Sequence, residues 1–102
     1  MPQIIYYNSQ SITEYSGIEK MEVSASDDTL FSITFDNGQT WRYVENDNWI
    51  IASSESEGMT AETILNISES KWSEITGFSS YQIRCCLPSI KSTASKIYVR
   101  YN

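Results

Sequence analysis

The chain contains no histidine. That removes His-based triads, imidazole metal ligands and the commonest general base. No stretch approaches the roughly 18 apolar residues that a membrane-spanning helix needs, so membrane insertion is not expected. The start, Met1-Pro2-Gln3, lacks a basic region followed by a long apolar stretch, and no signal peptide is expected. Cations are scarce: 7 Lys and Arg stand against 13 Asp and Glu, for a net charge of −6. Such a surface repels phosphate backbones, which argues against a nucleic-acid partner. The only cysteines, Cys85 and Cys86, are adjacent. Neighbours in a strand point to opposite faces and cannot form a relaxed disulfide with each other. A reducing compartment is the simplest setting, with one buried thiol and one surface or interface thiol. No further ligands accompany them, so neither a redox nor a metal role is expected.

What is present points to a β protein. A chain of 102 residues is one domain by size, read here as residues 1–102, and buries about two-thirds of its unfolded surface. Aromatic residues make up 13%, including 7 Tyr and 3 Trp. That suits strands, where aromatic cross-strand pairs contribute about 0.2–1 kcal/mol each, and it also suits a binding face. Carboxylates that could do acid–base work are Asp27 and Asp28, Asp36, Glu45 and Asp47, and Glu55 and Glu57. All fall in turn-like segments, where acids are ordinary loop chemistry. Glycosidase-type catalysis needs two carboxylates held at a defined separation around a cleft, and none is evident. No calcium-loop spacing occurs. No catalytic residue, metal ligand or cofactor is assigned.

Residues Thr34 to Trp41 read Thr-Phe-Asp-Asn-Gly-Gln-Thr-Trp. Phe31, Ile33 and Phe35 alternate with polar neighbours before them, and Trp41 to Val44 begins a second β-prone run. Aspartate can accept hydrogen bonds from nearby backbone N–H groups, and glycine supplies positive φ. The octapeptide resembles the Asp-box, Ser/Thr-x-Asp-x-Gly-x-Thr-Trp, of sialidase-type propellers and several unrelated β proteins. The resemblance implies a folding device: Asp36, Gly38, Thr40 and Trp41 hold a turn, with Trp41 folding back over the hairpin as an apolar plug. No second copy of the box occurs, so a multi-bladed propeller is excluded.

Along the chain, Gln3–Tyr7 is a short β-prone run and 8–18 an irregular segment. Residues 20–52 read as four consecutive strands in an antiparallel meander. Their turns are Ser26–Thr29, the Asp-box and Glu45–Asn48. Residues 53–58 are acidic and small, a linker by composition. Thr60 and Ser68 each stand at a helix start, with an apolar residue before and another four residues in. Two short helices are expected, Ala61–Asn66 and Glu69–Thr76, the second ended by Gly77. At this length they need a sheet to lie on. In the later strand Tyr81, Ile83, Cys85 and Leu87 share one face, and Pro88 ends the run. Lys96–Tyr101 alternates again. A chain that stops inside a strand is expected to be a piece of a longer protein or to end at a sheet edge. The sum is mainly β (α+β by content): an antiparallel β-sandwich or flattened barrel of about seven strands, with the helical insert (59–77) between the fifth and sixth.

A looser resemblance bears on function. Phe31 through Trp41 and on to Trp49, then Gly58-Met59-Thr60 and Ile67-Ser68-Glu69-Ser70-Lys71-Trp72, look like small domains of phage and prophage tail or virion-associated proteins. There a hairpin ending in Thr-Trp precedes a Gly-Met-Thr helix start and a second, Trp-bearing helix, and the Arg84 strand follows. The resemblance implies a non-enzymatic structural or interaction domain, located in a virion or, before assembly, in the bacterial cytoplasm. Its partners would be other virion or cell-surface proteins, or further copies of itself. Surplus Tyr and the arginines Arg42, Arg84 and Arg100 would be the anchors. The alternative is a carbohydrate-binding or adhesion module. For it, Tyr43, Trp49 and Tyr98 would stack on sugar rings while Asn46, Asp47 and Asn48 fix the hydroxyls.

Overall fold

The computed structural model describes residues 2–102, which form a mainly β fold in two layers. The strands are β1 (Gln3–Tyr6), β2 (Gln10–Ser11), β3 (Ile18–Ala25), β4 (Leu30–Thr34), β5 (Arg42–Glu45), β6 (Asn48–Ile51), β7 (Ser80–Leu87) and β8 (Ala94–Tyr101). Two helices, α1 (Ala61–Leu65) and α2 (Glu69–Trp72), lie between β6 and β7. The larger sheet runs β1-β7-β4-β5-β6, with β2 on the far end of β7, and all its pairings are antiparallel. The smaller sheet is the antiparallel ribbon β3-β8. Both helices lie against β3.

The four-strand meander expected over 20–52 is corrected here. β4, β5 and β6 are consecutive neighbours, but β3 leaves the sheet and pairs with β8, while β7 takes the place beside β4. The cause is the turn at 26–29. Ser26 Oγ donates to Asp28 (2.8 Å), but the same turn is bound to the β7–β8 loop. Ser92 Oγ donates to Asp28 (2.9 Å), Thr93 N donates to Ser26 Oγ (2.8 Å), and Thr29 Oγ1 donates to the Thr93 carbonyl (2.9 Å). The turn therefore passes the chain from one layer to the other. The strand count is also one higher than expected, because Gln10–Ser11 pairs briefly with β7.

Alternation places the core. On β4 and β7, Phe31, Ile33, Tyr81, Ile83, Cys85 and Leu87 point between the layers. They meet Ile18 and Met21 of the ribbon and Ile64, Ile67 and Trp72 of the helical segment in one buried cluster. Full burial of one such side chain is worth about 1.5–3 kcal/mol. The helix caps follow the sequence signals: Thr60 Oγ1 accepts from Thr63 N and Ser68 Oγ from Lys71 N. α2 is shorter than its pattern suggests. Beyond Trp72 the chain tightens into Glu74 N to Lys71 O and Ile75 N to Trp72 O bonds before Gly77 turns it at φ +75°.

The opposite face of the larger sheet is covered too, which a simple inside–outside alternation does not anticipate. The 53–58 segment, expected as a linker, folds over that face as a strap. Glu57 fastens it by accepting from Ser53 N (3.1 Å) and Ser53 Oγ (2.6 Å). Cys86 is buried along with Cys85, so the expected surface or interface thiol does not exist.

Candidate functional site

The Asp36 turn is the most heavily bonded local feature. Asp36 Oδ1 accepts from Thr34 Oγ1 (2.8 Å) and Thr40 N (2.9 Å), and Oδ2 accepts from Thr40 Oγ1 (2.6 Å). Thr34 Oγ1 in turn accepts from Gly38 N (2.8 Å). Asn37 and Gly38 take φ +60° and +89°, values that asparagine and glycine tolerate best. The Thr40 hydroxyl, then the Thr40 amide and the Thr34 hydroxyl, hold the Asp36 carboxyl down to about 2. Asp36 borders a shallow cavity with Arg42 and Glu74, yet both its oxygens are already engaged within the turn.

Trp41 does not plug the hairpin. It is half-buried on the strap side of the sheet, with its ring on the Arg84 guanidinium (4.4 Å to the ring centroid) and the edge of Tyr6 (5.7 Å) against it. Arg84 is itself buried. Its Nε donates to Ser32 Oγ (2.9 Å) and its Nη2 to the Ser54 carbonyl of the strap (3.3 Å). Arg84 is therefore a cation held by a ring, a hydroxyl and a carbonyl, and not the free anchor expected from sequence. Arg100 is exposed and pairs with Glu19 at 2.9 Å. Tyr6 is 51% exposed and donates to Glu55 at 2.9 Å.

Where β4 and β5 should run side by side, they part. Their only register pair is Ile33 with Arg42. Beyond it Met59 enters between them. Phe31 N donates to the Met59 carbonyl (2.7 Å), Met59 N donates to the Phe31 carbonyl (2.8 Å), and Val44 N finds the Met59 sulfur at 3.3 Å. Gly58 makes this approach feasible, since a Cβ there would lie 2.5 Å from the Phe31 carbonyl oxygen. The parting opens a cleft of about 400 Å³ between the β5–β6 turn and α1. Polar groups line much of it, among them Asn46, Asp47, Glu62, Asn66 and Lys71. Asn46 and Asp47 reach it because both adopt positive φ (+51° and +62°) in a two-residue hairpin turn.

The chain matches no family model, no curated protein and no solved structure. The site is therefore read from its own geometry. The six residues expected for a sugar platform are divided. Asn46 and Asp47 share the cleft, and Asn48 is exposed beside them. Tyr43 is buried, and its phenol is raised by that burial and by the charges of Glu45 and Glu57. Trp49 is half-buried among Phe35 and Trp72, with its indole N–H donated to the Lys71 carbonyl (3.0 Å). Tyr98 is exposed on β8, in the other sheet. The three rings do not share an exposed face.

Sequence reasoning offered Glu57 only as a candidate acid–base carboxylate, not as the fastening of the strap, and it missed Tyr6, Glu62, Asn66 and Lys71. Only Gly58-Met59, a small residue before a flexible thioether, signals the insertion that brings the last three near Asn46. Three carboxylates have shifted acidity, Asp28, Asp36 and Glu57. All are lowered, with a serine or threonine hydroxyl as the first cause in each. Among the described residues no group of three or more Cys, Asp or Glu is placed to hold a metal ion.

Proposed function

We propose that this chain is a non-enzymatic interaction domain acting by protein–protein contact, of the kind that builds phage or prophage tails. One observation carries the non-enzymatic part. Each perturbed carboxylate is held ionised by hydroxyls of its own or a neighbouring turn. A general acid needs the reverse, a carboxyl raised toward neutrality by burial or by a like charge. The virion part is supported by the roles of the residues that carry the resemblance. Thr34, Asp36 and Thr40 tie the hairpin, Gly58 and Met59 wedge the sheet, and Thr60 and Ser68 cap the helices. Such residues define an architecture and leave the surface to the partner. Tyr6 beside Trp41, and Tyr98 on β8, offer the aromatic anchors that contact surfaces favour. The test is particle association. After prophage induction in the host that carries the chain, an antibody to it should find the protein in purified particles. Recovery only in the particle-free fraction would remove this reading.

The cleft beside Asn46 and Asp47 favours a second reading, glycan binding. Its amides, carboxylates and lysine suit sugar hydroxyls. Trp49 reports on it through the bond to Lys71, which lines the cleft. A saturable change in tryptophan emission with one sugar of a glycan panel supports this reading, and a silent panel eliminates it.

A further inference from the structure

The two layers fail to meet along one side. β8 pairs only with β3, and among the described residues no main-chain hydrogen bond joins its other edge to any element. Across the gap stand Tyr7, Asn8 and Gln10, at the margin of the larger sheet. Two side-chain bonds span it: Tyr7 Oη donates to the Ser95 carbonyl (3.1 Å), and the hydroxyls of Tyr81 and Tyr101 bond each other (2.7 Å). Between these edges runs a groove of about 430 Å³ with Tyr81, Ile83, Ile97 and Val99 in its lining and Lys96 at its lip.

We propose that this groove receives an extended segment of another protein, added as a strand along β8, with apolar residues alternating with acidic ones. The inference rests on the interaction-domain reading and specifies the form of the partner. An edge strand presents a row of outward N–H and C=O groups, and only another extended main chain satisfies them in series. Pairing along β8 turns alternate side chains of the incomer toward the groove, whose lining favours apolar ones. The remaining side chains stand beside the outward residues of β8, which are Lys96, Tyr98 and Arg100. Lys96 is exposed and, among the described residues, has no hydrogen-bond or ion-pair partner. Opposite charges across neighbouring strands stabilise the pairing, so the incomer's outward positions are acidic. A second copy of β8 suits the site poorly: in antiparallel register about Tyr98, it sets Lys96 against Arg100, like charge against like.

The test uses the whole chain labelled with ¹⁵N and a synthetic octapeptide of alternating valine and glutamate. Controls are the valine–lysine octapeptide and the valine–glutamate sequence interrupted by proline. With the acidic peptide at about ten times its dissociation constant, outward amides of β8 should exchange about tenfold more slowly. The signals of Tyr7 and Val99 should move, and both controls should leave them in place. Lys96→Glu, an exposed change that spares the core, should transfer the preference to the valine–lysine peptide. Unchanged β8 exchange up to about 1 mM peptide, the weak end of specific recognition, overturns the proposal. So does concentration-dependent protection of β8 in the free protein, which would make a second copy the occupant. Shifts confined to Tyr6 and Trp41 also overturn strand addition while leaving the interaction-domain reading intact. Failure of particle association alone removes the virion reading and leaves β8 to be judged by the peptides.

Discussion

Gly58→Ala adds one methyl group at a point with no room for it. The new Cβ would lie 2.5 Å from the Phe31 carbonyl oxygen, 2.8 Å from its carbon and 2.9 Å from its nitrogen. These are main-chain atoms of β4, so no side-chain rotation relieves the clash, and the two segments must separate. The separation strains the paired bonds between Phe31 and Met59, now 2.7 and 2.8 Å long. Each is worth about 0.5–1.5 kcal/mol, and more if its groups are left buried and unpaired. Met59, 3% exposed, would also shift in the core, at a typical overpacking cost of about 1–3 kcal/mol. Against this stands a gain of about 0.4–1 kcal/mol from a stiffer unfolded chain. The net expectation is a loss of about 2–4 kcal/mol, read by urea titration, with Tm falling about 4–8 °C per kcal/mol. Gly38→Ala is the internal control. Gly38 sits at φ +89° with nothing within 4 Å of an added Cβ, so it pays only left-handed backbone strain, about 1–2 kcal/mol. If Gly58→Ala proves no costlier than Gly38→Ala, the wedge between β4 and β5 is not held as described.

Other perturbations separate the remaining contacts. Asp36 titrates at about 2 in the fold against 3.8 unfolded. Its contribution is therefore complete above pH 4 and fades as pH falls toward 2, and Asp36→Asn should flatten that part of an acid-unfolding profile. Tyr7 runs the other way. Burial, then the nearby Cys85 thiol, pushes it up to about 12 from 10.0, so stability should decline as pH rises through that interval, and Tyr7→Phe should blunt the decline. Arg84→Ala should cost about 2–4 kcal/mol in urea unfolding, because it strands Ser32 Oγ and strips the Trp41 ring, while Arg84→Lys should cost about half as much. Among the described residues, Trp72 Nε1 is buried with no protein partner. Trp72→Phe should thus shift stability by no more than about 1 kcal/mol, since relief of the unpaired donor offsets the lost ring volume.

What was legible in the sequence was local. The Asp36 turn, the Thr60 and Ser68 caps and the alternation of β7 and β8 each depend on residues within a few positions of one another. What was not legible depends on distant partners. Ser26 and Asp28 look like an ordinary hairpin turn, and only Ser92 and Thr93 reveal that they send β3 into the other layer. The strap reads as a linker because nothing local shows that Ser54 will accept from Arg84 or that Glu55 will accept from Tyr6. Once the strap is in place, Arg84 loses the exposure that alternation assigns it, and Trp41 has a cation to lie on. The cleft is the least legible feature. It arises where a residue from beyond β6 divides two strands that precede it, and periodicity within either strand carries no trace of the division.

The position of β7 has a consequence for synthesis. This strand is the spine of the larger sheet, flanked by β1 on one side and β4 on the other, yet both neighbours are translated long before it. Until β7 leaves the ribosome, each of those segments has an unmatched edge and half of its apolar face in water. β5 and β6 can pair as a hairpin beforehand, but β1 and β4 must wait for β7 before the larger sheet closes. A polypeptide ending ahead of residue 80 would lack the strand on which β1, β2 and β4 all assemble, and would leave their edges open.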